Sequence, residues 1–147
     1  MKTAICYYSE HHGNTKLLID AICEADPDIV LFDCTKKQEV DLLKYDRIGF
    51  ASGIYFQNFA KQLISFAQIN LPDKKEVFFI YTYGVKSDKY TKGIREIAEA
   101  KESVIIGEYS CFGYDTFGPL KIVGGIKNGH PTDEEIDGAV DFYNGLG

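Results

Sequence analysis

Apolar and polar positions come in blocks along this chain, and the blocks alternate between strand and helix signals. Thr3 to Tyr8 is a short apolar run that predicts a buried strand. Asn14 to Ala25 places Leu17, Leu18, Ala21, Ile22 and Ala25 at helical spacing, and Asp26-Pro27-Asp28 stops it. Ile29 to Phe32 predicts a second buried strand. Thr35 to Tyr45 is weakly patterned, with room for a short helix. Arg47 to Ser52 predicts a third strand. Phe59 to Ile69 is helical through Phe59, Leu63, Phe66 and Ala67, and Pro72 follows. Val77 to Tyr81 and Val104 to Cys111 predict the fourth and fifth strands, separated by a helix over Tyr90 to Ala100. Thr132 to Tyr143 is the last helix, where Thr132 and Glu135 form a capping box and Ile136, Ala139, Val140 and Tyr143 supply the buried stripe. Strands alternating with helices imply an α/β fold, a parallel sheet covered on both faces.

In such a sheet, ligands sit beyond the carboxyl ends of the strands, where the strand order reverses. The loops that meet there are Ser9 to Thr15, Ser52 to Phe59, Thr82 to Asp88 and the segment after Cys111. The first is small, polar and glycine-containing, and lies between a buried strand and a helix N-terminus. The first amides of a helix lack partners inside it and the peptide dipoles favour negative charge, so this loop suits a phosphate. The second, Ser52-Gly53-Ile54-Tyr55-Phe56-Gln57-Asn58-Phe59, is rich in flat aromatic side chains. The third, Thr82-Tyr83-Gly84, adds a ring beside a glycine. A phosphate grip facing two aromatic loops fits a ligand with a phosphate at one end and a planar ring at the other.

Composition limits the alternatives. The chain has 147 residues, 45% hydrophobic and 26% charged, which reads as one soluble domain spanning 1–147. No apolar run approaches the ~20 residues of a membrane helix, and no signal-peptide pattern opens the chain. The net charge of −6 argues against a nucleic-acid surface. Cys6, Cys23, Cys34 and Cys111 are scattered, with no C-x-x-C pair, and read as reduced thiols of a cytoplasmic protein.

With these loops in hand, the sequence resembles the flavodoxins, small FMN-binding electron carriers, over nearly its whole length. The matching pieces are H-G-N-T at 12–15, S-G-I-Y at 52–55 and T-Y-G at 82–84. The resemblance implies a flavodoxin-like three-layer sandwich with a five-stranded sheet of order 2-1-3-4-5. It implies non-covalent FMN, with Ser9, His11, His12, Gly13, Asn14 and Thr15 on the phosphate. Ser52, Gly53, Ile54, Tyr55 and Phe56, with Thr82, Tyr83 and Gly84, would flank the isoalloxazine. It implies a monomeric carrier that passes single electrons between redox partner proteins through a neutral semiquinone, with a backbone carbonyl at Gly53 turning toward the reduced flavin. Two departures stand out. His11-His12 occupies positions where the family has small hydroxyl residues. The 50s loop is uncharged, with Lys61 just beyond it, where family members commonly carry acidic residues; Asp88 and Asp115 are candidates to supply some of that negative charge.

Plainer readings stand beside these. The first loop also reads as a simple turn capped by Asn14 or Thr15. Phe59 reads as core. Tyr55 and Phe56 fit either ring contact or core. Tyr83, placed past the strand, reads as a ligand contact. His11-His12 lacks a third metal ligand, His130 reads as structural, and Cys111 reads as a packed thiol. Asp133, Glu134 and Glu135 complement the last helix's dipole. The segment Phe112 to Pro131 is long for a loop. Beginning with Tyr114, Asp115, Thr116 and Phe117, it is expected to cover part of the site or to shape partner docking, and the alternative is a surface loop burying Phe117, Leu120, Ile122 and Val123. The rival functions are a small FMN-dependent NAD(P)H:quinone-type reductase and a flavin-free binding domain. No G-K-S or G-K-T phosphate loop is present.

Overall fold

The structure is a computed structural model that describes residues 1–9, 13–113 and 130–147. Its elements run β1 (Thr3–Tyr8), α1 (Asn14–Ala25), β2 (Val30–Asp33), β3 (Arg47–Tyr55), β4 (Asn58–Phe59), α2 (Lys61–Asn70), β5 (Glu76–Tyr83), α3 (Lys92–Ala100), β6 (Val104–Phe112) and α4 (Asp133–Gly145). Five strands lie in the order β2-β1-β3-β5-β6, all parallel, and β4 pairs only with β3. The fold is therefore flavodoxin-like, with one short strand more than the five expected.

Helices α1 and α4 cover one face, where Leu18, Ile19, Ile22, Ala139 and Tyr143 pack on Ile5, Ala51, Phe78 and Ile80. Helices α2 and α3 cover the other, with Leu63, Phe66, Ile94 and Ile97 on Ala4, Cys6, Phe50 and Phe79. Central strands buried on both faces read as continuous apolar runs, which is why β1, β3 and β5 are visible in the sequence. Gly49 is a packing requirement of β3: a Cβ there would sit 2.4 Å from the Phe78 ring. The Thr132–Glu135 capping box is present in both directions.

Several boundaries differ from the sequence reading. The segment Thr35 to Tyr45 forms turns and no helix. β2 is an edge strand with Val30 exposed, so it is only half buried. In α1 the buried stripe is Thr15, Leu18, Ile19 and Ile22, and Leu17 faces outward. β3 runs past Ser52 to Tyr55 because it turns back on itself as a hairpin with β4, which also takes Phe59 out of the helix. β5 continues to Tyr83, held by pairing with Phe112 of β6.

Candidate functional site

Register aligns the carboxyl ends of four strands. Tyr8 pairs with Ser52, Gly53 with Thr82, and Tyr83 with Phe112. The residues that follow therefore leave the sheet at one edge. Side-chain contacts tie these exits together. The hydroxyls of Thr15 and Thr82 lie 3.0 Å apart in a buried hydrogen bond, joining the first turn of α1 to the end of β5. Asn14 packs so closely on Gly113 that a Cβ there would meet its Nδ2 at 2.8 Å. Gly113 in turn donates its N–H to the Tyr83 carbonyl at 2.9 Å. Gly113 was not among the residues singled out from sequence. The signal available was a glycine directly after the last strand.

The loop after β1 has the character of an anion site. Gly13, at φ 63°, stands at the N-cap of α1 in the left-handed conformation, and no side chain among the described residues caps the helix. No acidic residue occupies the first turn. Among the described residues, the hydroxyl oxygen of Ser9 is buried and has no hydrogen-bond partner. A buried hydroxyl without a partner costs free energy. Lys16 is already engaged, 2.7 Å from Asp20 and over the Tyr7 ring. His11 and His12 lie outside the described residues.

The second loop is a tight hairpin. Ile54 pairs with Phe59 and Tyr55 with Asn58, leaving Phe56 and Gln57 at the tip with φ 50° and 64°. Two successive positive φ angles are what a primed hairpin turn requires, normally met by Asn or Gly. A phenylalanine there is strained. Ser52 is buried and acts inside the hairpin: its Oγ donates to the Gly53 carbonyl at 2.6 Å and accepts from the Ala60 N–H at 3.0 Å. The Gly53 carbonyl is thus already engaged, and the positive-φ strain of this loop sits three residues further on. A Cβ at Gly53 would lie 3.3 Å from the Tyr55 hydroxyl, so the glycine makes room for that ring. Tyr55 is half-buried and meets Tyr8 edge-on at 5.6 Å. Ile54 packs against the α2–α3 core, whereas Phe56 is 94% exposed.

The third loop differs from expectation at Tyr83. The ring is not beyond the strand but inside it, buried among Phe112 at 5.0 Å, Tyr81 at 6.0 Å and Tyr90 at 6.3 Å. Burial pushes its phenol pKa above the ordinary value. Thr82 is buried against Thr15, and Gly84 is half-buried at the edge. Beside these, Cys111 is a buried free thiol whose pKa is pushed up to about 12 by burial and the Glu135 charge. That suits a packed, unreactive side chain. His130 packs on Phe112 at 5.7 Å and shares its Nδ1 with Glu135. Tyr114, Asp115, Thr116, Phe117, Leu120, Ile122 and Val123 lie outside the described residues. Among the described residues, no group of His, Cys, Asp and Glu could hold a metal ion, and no helix is long and apolar enough to cross a membrane.

Comparison with known proteins agrees with this fold. The flavodoxin-domain family profile matches residues 4–108. The chain is 36% identical over 150 residues to an uncharacterized protein of Methanocaldococcus jannaschii, covering 99% of this chain and 98% of that one. Oxidised flavodoxin 2 from Bacillus cereus superposes with a TM-score of 0.67 at 17% identity, covering 99% of this chain and 97% of its own. General stress protein 14 from Treponema denticola, solved in complex with FMN, superposes with a TM-score of 0.68 at 11% identity over 100% of both chains. At these identities the two structures show a shared fold alone.

Proposed function

The chain belongs to the flavodoxin-domain family, and on that premise we propose that it binds FMN and carries single electrons between redox partner proteins. The observation that carries this reading is the buried Ser9 hydroxyl, unpartnered among the described residues, in the same loop as the left-handed Gly13 at the N-terminus of α1. These groups suit the phosphate of FMN: a hydroxyl donor and the first amides of a helix belong to one loop, and no side-chain cap among the described residues satisfies them.

In this reading Ser9, Gly13, Asn14 and Thr15 hold the phosphate, with His11 and His12 belonging to the same loop. Thr82 fixes the Thr15 side chain, so the phosphate end is preorganised by β5. Gly53 and Ile54 bring the hairpin over the ring, and Tyr55, steadied by Tyr8, offers its face to it. Phe56 points to solvent and leaves that role to Tyr55. Tyr83 acts through packing, holding Phe112 and the end of β5, and Gly84 allows main-chain approach to the ring edge. FMN, when bound, supplies the redox chemistry, taking up and releasing electrons one at a time. The protein supplies orientation, a dry pocket wall and the local field. We place residues 1–147 as one flavodoxin-like unit, monomeric and cytoplasmic, a setting in which its four free thiols stay reduced.

The test is spectroscopic and kinetic. Purified protein is mixed with FMN, passed through a desalting column, and its visible spectrum recorded. Retained flavin bands at one per chain support the reading, and a colourless protein rejects it. Loaded protein given NADPH alone should show no steady oxidation of the nucleotide. Sustained turnover would make it a reductase and not a carrier.

A further inference from the structure

The first turn of α4 holds a titratable pair that the candidate site does not use. Nδ1 of His130 bonds Oε1 of Glu135, and the two form an ion pair whenever the imidazole is protonated. The same oxygen accepts the Thr132 N–H at 2.8 Å, and the Thr132 hydroxyl accepts the Glu135 N–H at 3.1 Å. That capping box is complete without the histidine. His130 is therefore an addition to the cap, and what it adds is a hold on the end of β6. Its ring packs on Phe112 at 5.7 Å, and Phe112 packs on Tyr83 at 5.0 Å. Tyr109 of β6 donates its hydroxyl to the Glu135 carbonyl at 2.6 Å, so α4 grips β6 at two points. Gly113, directly after Phe112, donates to the Tyr83 carbonyl and lies against the side chains of Asn14 and Thr82. A contiguous run of contacts thus leads from His130 to the first residue of α1, beside Gly13.

Histidine is the side chain that ordinarily changes charge between about pH 5 and about pH 8. On α4, against the pull of burial, the Thr132 and His130 bonds hold Glu135 below the ordinary carboxylate value, so it is ionised across that range. Asp133 and Glu134 share its turn and are exposed. Burial pushes Tyr109 and Cys111 of β6 up to about 12 each and pushes Tyr83 of β5 up as well, so these three are neutral there. On α1, Asn14 is uncharged and Lys16 is paired with Asp20. The charge that changes at this contact is the imidazole's. Protonating His130 turns a neutral hydrogen bond to Glu135 into a charge-assisted one, roughly twice as strong. We propose that His130 and Glu135 form a proton-sensitive clasp, which holds the end of β6 against the first turn of α1 more firmly when His130 is charged. Ligand affinity at the loop before α1 then rises as pH falls through the titration of His130, and a ligand bound there raises the proton affinity of His130 by the same factor. That consequence rests on the FMN reading; the clasp does not.

The experiment is an NMR titration of the isotope-labelled full chain from about pH 5 to about pH 8.5, following the His130 ring and the amides of Phe112, Gly113 and Asn14. Without ligand, the Phe112 and Gly113 amides are expected to titrate with the His130 midpoint, and Asn14 to show the same midpoint among its transitions. His130→Gln should remove that transition from all three. Glu135→Gln, which keeps the acceptor and loses the charge, should reduce its amplitude. Amides that ignore the His130 midpoint in the parent protein would overturn the clasp, and this readout needs no variant to fold. FMN affinity is then measured by fluorescence quenching in the parent and in His130→Gln. Titration of His11, His12 and the FMN phosphate occurs in both proteins and cancels in the comparison. From about pH 8 to about pH 6 the parent should gain about threefold in affinity over the variant, and FMN should raise the His130 midpoint by about half a pH unit. Equal pH dependence in the two proteins, or a midpoint that FMN leaves in place, would overturn the link to the loop. A protein that takes up no FMN would reject the cofactor reading, while the ligand-free titration still decides the clasp.

Discussion

At the amino-terminal end of the strands, polar groups find partners within the protein; at the carboxyl-terminal end, several do not. Arg47 is buried at the first end, 3.1 Å from Glu76 and donating to the Leu146 carbonyl at 3.2 Å, so it ties β3, β5 and the end of α4 together. The Lys2 amide reaches Asp46, and Lys75 reaches the Leu43 carbonyl. At the second end, among the described residues, the Ser9 hydroxyl has no hydrogen-bond partner and α1 starts without a side-chain cap, while positive φ at non-glycine residues occurs at both ends, at Phe56 and Gln57 here and at Lys74 and Glu102 before β5 and β6. One end is finished for stability. The other keeps an unsatisfied hydroxyl and an uncapped helix start, which is the state expected of a binding edge before its ligand is counted.

The comparison can be broken most forcefully in the core that both ends share. Gly49→Ala forces a Cβ into the Phe78 ring, and a loss of about 3 kcal/mol in denaturant unfolding is expected. Next, Arg47→Met should cost about 2 kcal/mol, because it leaves the Leu146 carbonyl and Glu76 without their donor. The opposite sign is expected at the other end. Gln57→Gly removes a positive-φ penalty and should raise stability by about 1 kcal/mol.

The smallest effect concerns Glu135. Burial alone pushes its pKa up, but bonds from the Thr132 amide and His130 outweigh burial, and the carboxyl is held below its ordinary value of 4.5. Its contribution is therefore complete above that value and is lost as pH falls through the lower, folded one. Urea midpoints measured from neutral pH down to about pH 3 should drop more in the protein than in Glu135→Gln, where this linkage is gone.

How much of this was legible in the sequence follows from the range of each interaction. β1, β3 and β5 are continuous apolar runs because helices cover both faces, and the capping box is local, so each can be read directly. The β3–β4 hairpin could not, because Tyr55-Phe56-Gln57-Asn58 lacks the glycine that normally marks such a turn. Tyr83 was placed past the strand because a tyrosine near a glycine reads as a loop. Pairing with Phe112 decides otherwise. In the site, the Gly13 loop was visible as a pattern, but the Thr15–Thr82 bond joins residues 67 apart and the Asn14–Gly113 contact almost a hundred. Leu17 faced the wrong way because the helix stripe is set by the sheet beneath it.

The most direct test of the central claim is the ratio of FMN to riboflavin affinity, measured by flavin fluorescence quenching in the protein and in Ser9→Ala. The two ligands share a ring and differ in the phosphate. The account expects FMN to bind at least about a hundredfold tighter than riboflavin, and Ser9→Ala to reduce that ratio about tenfold without destabilising the ligand-free fold. Equal binding of both flavins, or a Ser9→Ala variant that keeps the full ratio, would contradict it.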